Sequence, residues 1–229
     1  MRKVSAIICA YNEGKTIENV IRSVSQVQIV TETVVVNDGS NDKTKEIIEC
    51  LKNKIPLKAI HLPENKGKGY AMATGVENST GEIIVFIDAD LSNLKEEHFE
   101  QLITPVCNKE ADMVLGQPTE TLIHYKINPF KSFTGQRALL KQDVFTILKE
   151  MRNSKFGVET LINLHYQAQG KRVKYVMLEG LKHPTKFDKA RSKSRAIKEF
   201  ALEGYQIALA LFINFNLLTK IVRNLINSF

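Results

Sequence analysis

The stretch IIVFIDADL, residues 83–91, decides how the chain is read. Ile83 to Ile87 form an unbroken apolar run, the pattern of a strand buried on both faces of a sheet. Asp88 and Asp90 follow, separated by one alanine. Carboxylates this close repel each other unless a cation lies nearby. In an open α/β sheet, ligands bind beyond the carboxyl ends of the strands, where the strand order reverses. Oxygen donors at such an edge suit Mg²⁺ or Mn²⁺, which keep waters and take phosphate oxygens as further ligands. Asp-x-Asp is a short pattern, and the same residues also suit a solvated loop in which Asp90 or Ser92 caps the next helix.

Outward from this stretch, strand and helix signals alternate. VSAII (4–8), ETVVVND (32–38), LKAIHL (57–62), ADMVLGQ (111–117) and KYVMLEG (174–180) read as strands. KTIENVIRSV (15–24) has apolar residues at 17, 20, 21 and 24, a helical period. DKTKEIIECLK, with Asn41 as its cap, GYAMATGVEN (69–78), KEEHFEQLITPV and GVETLINLHYQAQG (157–170) also read as helices. The expectation is one α/β domain with a mostly parallel sheet and helices on both faces. LIHYKINPFKSFTGQRALLKQD (122–143) is polar and rich in turn residues, and reads as a loop opening into a helix.

The bulk composition is ordinary for a globular protein. Of 229 residues, 43% are hydrophobic and 25% charged, and the net charge of +7 favours anionic partners. Cys9, Cys50 and Cys107 lack metal-type spacing and read as reduced thiols of a cytoplasmic protein. The N-terminus lacks the apolar core and cleavage site of a signal peptide. The basic stretch KFDKARSKSRAIK (186–198) precedes an apolar, Phe-rich segment, YQIALALFINFNLL (205–218), too short for a membrane span. Such a pair suits peripheral attachment to the inner membrane face, or a helix packed on the core or on a second subunit of a homodimer. No nucleic-acid reading motif accompanies the positive charge.

The other strand ends carry polar, glycine-containing turns: AYNEG, VNDGSND and NKGKGYA. A base and ribose fit along such an edge, with Asp38 accepting from a base N–H or a sugar hydroxyl. Lys68, between two glycines at a helix start, is placed to approach a phosphate. In order and spacing, AYNE (10–13), VNDGSNDKT (36–44), NKGKGYAMATG (65–75) and FIDADL (86–91) resemble the family 2 glycosyltransferases, which have a nucleotide-sugar-binding fold of the GT-A type. The resemblance implies that Ala10, Tyr11, Glu13 and Asp38 hold the nucleoside and that Lys68 lies near the nucleotide. It also implies that Asp88 lies by the ribose or metal, and Asp90 on Mn²⁺ or Mg²⁺.

The second half resembles the family more loosely. TGQRALLKQDV (134–144) is similar to an acceptor-side loop of prenyl-phosphate and phosphoglycerate glycosyltransferases, and FGVETLINL (156–164) to a segment of the glucosyl-phosphoglycerate synthases. Relatives complete the metal shell with a later histidine, for which His183 is the candidate here. His61, His98, His124 and His165 read as structural. Glu159 is the candidate base, with Asp143 behind it, although an acidic residue at a helix start also serves the helix dipole. Arg137 suits a phosphate through its planar fork. The organisation expected is a nucleotide-sugar half (1–120), an acceptor half (121–189) and a C-terminal tail of amphipathic helices (190–229). The function expected is metal-dependent transfer of a hexosyl group from a UDP- or GDP-sugar to a lipid-linked or phosphorylated acceptor, with inversion or retention open. The alternatives are a nucleotidyltransferase, for which AYNEGKT is a poor loop, and a non-catalytic nucleotide-binding protein of a membrane surface.

Overall fold

The computed structural model describes residues 2–120, 135–154, 157–182, 204–205, 208–209 and 211–226. Seven strands form one sheet: β1 (Val4–Ala10), β2 (Glu32–Asn37), β3 (Lys58–His61), β4 (Ile83–Asp88), β5 (Met113–Glu120), β6 (Arg137–Leu140) and β7 (Val173–Lys182). Their order is β3-β2-β1-β4-β6-β5-β7. β1 pairs in parallel with β2 and β4, so the chain steps outward from β1 to β3 and then returns to the other side of β1. The β1–β4 junction is therefore the switch point of the sheet.

Helices cover both faces. α1 (Ile17–Ser25), α2 (Thr44–Lys52) and α4 (Glu96–Cys107) bury Ile17, Ile21, Ile48, Phe99 and Ile103 against one face. α3 (Lys68–Asn78), α5 (Lys141–Phe145), α6 (Leu148–Asn153) and α7 (Val158–Ala168) cover the other with Met72, Val76, Val144, Met151 and Leu161. α3 lies so close to β1 that a Cβ on Gly75 would sit 2.4 Å from the Ile7 Cγ2. The near-continuous apolar character of β1, β2 and β4 follows from this two-sided cover.

The sheet is mixed where a loop and helix were expected. RALL is strand β6, antiparallel to both β4 and β5. Four residues cannot reveal a period, and β6 is central only because β4 and β5 flank it. The Asn41 cap is also corrected. The backbone N–H of Asn41 instead donates to Asn12 Oδ1 (2.8 Å), while Asp42 Oδ1 receives the first helical N–H, that of Thr44 (3.0 Å). At the C-terminal end, α8 (Phe215–Ile226) rests on α7: Asn224 Nδ2 donates to the Ala168 carbonyl (3.2 Å) and Leu217 packs against the core.

Candidate active site

Register brings the polar turns to one edge. Cys9 lies opposite Asp88 across β1–β4, and opposite Val36 across β1–β2, so these strands end together. Because β6 is antiparallel and Phe86 faces Arg137, residues 135 and 136 meet the end of β4.

The loops at this edge are cross-linked. Asn12, in the left-handed region at φ 56°, donates its N–H to Ser40 Oγ (2.9 Å). Asp42 Oδ2 accepts from the Gly14 N–H (3.0 Å). Burial would raise the Asp42 pKa, but its hydrogen bonds with Thr44 and Gly14 lower it overall. Asp38 is 3% exposed, and its two oxygens accept the N–H groups of Lys66 (2.7 Å) and Gly67 (2.9 Å). The adjoining turn requires glycine at 39: φ is 65°, and a Cβ would lie 2.2 Å from the Glu64 carbonyl carbon. Asp38 thus fixes the loop that leads into α3.

Lys68, the first residue of α3, is the hub. Its Nζ donates to Asp88 Oδ1 (2.8 Å) and Glu159 Oε1 (2.7 Å). Burial acts to lower the pKa of this ammonium, but the two carboxylates outweigh it and the pKa is raised, so Lys68 is charged. Asp88 Oδ2 accepts from Gln136 Nε2 (2.6 Å). A Cβ on Gly135 would sit 2.1 Å from that same Oδ2, so this turn has room for Asp88 only with glycine. Asp90 follows, 8% exposed. The next turn is tied down where Ser92 and Lys182 exchange backbone hydrogen bonds of 3.0 and 3.1 Å.

The remaining predicted site residues divide by position. The Ala10 carbonyl accepts the Asp38 N–H (2.9 Å), Tyr11 is 45% exposed at the edge, and the Glu13 N–H donates to Thr44 Oγ1 (2.9 Å). Glu159 stands in the first turn of α7 and faces Lys68. Arg137 is fully buried beneath that helix, donating to the Glu159 carbonyl (3.4 Å) and Asn163 Oδ1 (3.1 Å). Burial lowers its pKa, opposed by Glu159 and Asp88. Asp143 is not brought to this edge. Leu140 lies opposite Ile83 at the far end of β4, so α5 starts a strand-length away, roughly 16 Å. Asp143 pairs there with Lys171 (3.0 Å). His183 and His124 lie outside the described residues. His61 bridges Asn37 and Glu49, and His98 accepts the Lys95 N–H (3.2 Å) while bonding the Glu179 carbonyl, both structural arrangements. All three cysteines are free, and burial pushes the Cys9 thiol up to about 12, so it stays protonated.

Asn12, Asp42, Gly135 and Gln136 escape a reading of the sequence as site residues. The only signals were the turn compositions around them. The glycosyl transferase family 2 profile matches residues 5–156. The chain belongs to this family. A dolichyl-phosphate β-glucosyltransferase of Trichomonas vaginalis is 34% identical over 146 residues, 56% of this chain and 43% of that protein. A dolichol-phosphate mannosyltransferase of Pyrococcus furiosus is 34% identical over 116 residues, 50% of this chain and 32% of that protein. The family 2 chain matches less than half the length of these curated relatives. Among solved structures, glucosyl-3-phosphoglycerate synthase of Mycobacterium tuberculosis, in complex with Mn²⁺, UDP and glucosyl-3-phosphoglycerate, is similar with a TM-score of 0.72 and 20% identity. That match covers 92% of this chain and 78% of that one, and establishes the GT-A fold.

Proposed function

We propose that the protein transfers a hexosyl group from a UDP- or GDP-sugar, with Mn²⁺ or Mg²⁺, to a phosphorylated or lipid-phosphate acceptor. The observation that carries this reading is the meeting of Lys68, Asp88 and Glu159, within 2.8 Å contacts, beside Asp90 at the switch point. The supporting context is family membership and relatives named for dolichyl phosphate and phosphoglycerate acceptors.

The residues present fit a divalent ion in chemistry. Asp90 is a nearly buried carboxylate at the ligand-bearing edge, a position that favours a neutralising cation. Among the described residues no group of three or more His, Cys, Asp or Glu side chains makes a metal site by itself, so an ion held here would draw further ligands from water and phosphate oxygens. Asp90 would hold the ion, with Asp88 oriented by Lys68 and Gln136 beside it, and His183 as a further ligand. Lys182, the residue before His183, is paired with Ser92 next to the Asp90 turn. When bound, the ion supplies Lewis-acid stabilisation of charge on the departing diphosphate.

The chain's own residues do the rest. The Ala10–Glu13 turn and the loop fixed by Asp38 form the nucleoside side. Lys68 and the N-terminus of α3 meet the diphosphate. As the phosphates draw Lys68 toward them, Glu159 is released from its ion pair and can accept a proton from an acceptor hydroxyl. A phosphate acceptor is already nucleophilic and needs no such base, in which case Glu159 positions the sugar or acceptor. Arg137 holds the first turn of α7, and so Glu159, from below. The test is a screen of UDP- and GDP-sugars against dolichyl phosphate and 3-phosphoglycerate, with and without Mn²⁺. Sugar transfer that requires the ion supports the reading. A folded protein that turns over no sugar nucleotide with either acceptor class opposes it.

A further inference from the structure

The C-terminal helix has a second apolar side, and it is exposed. On α8, Leu217, Leu218 and Ile221 are partly covered, and Leu217 packs against the core. Phe215, Val222 and Ile226 recur at spacings of seven and four on a different side, with Phe212 one turn earlier, and are 63%, 54%, 68% and 79% exposed respectively. A helix that only packs on its own domain needs one apolar stripe. This one has two. Arg223 is exposed beside the outer stripe, while Lys220 lies further round the helix, where its Nζ donates to Gln169 Oε1 of the same domain (3.5 Å). Residues 204–229 contain no aspartate or glutamate.

We propose that α8, with Phe212 just before it, docks the protein on the surface of an anionic lipid bilayer, with Phe212, Phe215, Val222 and Ile226 in the headgroup boundary and Arg223 on the headgroup phosphates. Exposed aromatic and aliphatic residues beside cations are the composition of a helix that lies in an interface plane. No helix among the described residues is long and apolar enough to cross a membrane. A second copy is a poorer occupant. A symmetric pairing of this stripe would bring the Arg223 side chains of both copies towards each other, and no acidic residue of the segment could neutralise them. Anionic headgroups neutralise them directly. α7 links this contact to the active site, because its first turn carries Glu159 and its last residue, Ala168, receives Asn224.

The test needs no sugar transfer, so it stands apart from the functional reading above. The full chain is spun down with vesicles of equal parts phosphatidylcholine and phosphatidylglycerol, and with phosphatidylcholine alone. The protein is expected to pellet with the mixed vesicles, to do so less at high salt, and to stay in solution with the neutral ones. The triple variant Phe212→Ser, Phe215→Ser, Val222→Ser is expected to partition about tenfold less or weaker, with its unfolding midpoint unchanged. The chain contains no tryptophan, so Phe215→Trp adds a single reporter. Its emission should shift to the blue on addition of mixed vesicles, which decides the matter even if the triple variant misfolds. Absence of wild-type pelleting or of that shift overturns the proposal, as does equal pelleting of a folded triple variant. A wild-type dimer in sedimentation equilibrium that the triple substitution makes monomeric would also overturn it, by assigning the stripe to a second copy.

Discussion

Two lysine–aspartate pairs look alike in isolation. Lys68 meets Asp88 at 2.8 Å, and Lys171 meets Asp143 at 3.0 Å. In each, the aspartate side chain is largely covered, 17% exposed for Asp88 and 11% for Asp143. They differ in where the sheet places them. The first lies beyond the carboxyl end of β4, at the switch point, where Glu159, Gln136 and Asp90 converge with the nucleoside-side turns. The second lies by α5, past the opposite end of β4, and the second oxygen of Asp143 is buried with no hydrogen-bond partner among the described residues. The same pair of side chains becomes a candidate for chemistry at one edge and a structural tie at the other. Topology makes the difference, because an open α/β sheet carries its ligands beyond the carboxyl ends of its parallel strands.

Substitutions can break or sharpen this contrast. The largest effect is expected from Asp90→Asn, which removes a ligand-edge charge while keeping its shape. Turnover of sugar nucleotide should fall about 10³-fold, with the thermal midpoint close to wild type; undiminished turnover would take Asp90 out of the reaction. Lys68→Met comes next. It leaves Asp88 and Glu159 facing each other without their shared cation, so steady-state kinetics should show a loss of about 10²-fold, accompanied by a lower denaturation midpoint. Normal kinetics in that variant would erase the distinction between the two edges.

The opposite edge should behave in the reverse sense. Asp143→Asn is expected to lower stability by about 1 kcal/mol, or a melting shift of roughly 2–4 °C, because Lys171 can turn to water. The turnover rate should hold within about twofold below the transition. A folded Asp143→Asn protein without activity would return Asp143 to the chemistry.

The smallest effect belongs to Glu32, also at this edge, where it opens β2. It accepts from the Ser5 hydroxyl and from the Thr80 N–H (2.7 Å), tying three segments together. Burial raises its pKa, but these bonds and Lys58 outweigh it, and the value lies below the ordinary 4.5. The folded state therefore binds this proton less readily than the unfolded chain. The resulting stability is present above the unfolded value and lost as pH falls through the folded one. Urea titrations between pH 6 and 3 should show wild type losing stability more steeply than Glu32→Gln, by under about 1 kcal/mol. Parallel curves would remove Glu32 from the acid response.

Much of the contrast was legible in the residues, and part of it was not. β1, β2 and β4 are two-sided buried strands, so they appear as apolar runs, and the polar turns that end them appear as breaks. Asp88, Asp90, Lys68 and Glu159 stand in such turns or at helix starts. The linkage of Asp88 to Gln136 and of Asn12 to Ser40 was hidden, because each pairs groups distant in sequence. Strand β6 was hidden for the same reason: RALL belongs to the sheet only through its neighbours. That one strand also relocates two expectations. It carries Arg137 beneath α7, and it runs away from the site, delivering Asp143 to the far edge.

The most direct test is calorimetric titration of UDP and GDP, each with Mn²⁺, into the wild-type, Asp90→Asn and Asp143→Asn proteins. One of the two nucleotides should bind the wild type and Asp143→Asn alike, and bind Asp90→Asn at least about tenfold more weakly. Binding to all three with equal affinity, or loss in Asp143→Asn with retention in Asp90→Asn, would contradict the placement of the nucleotide at the switch-point edge.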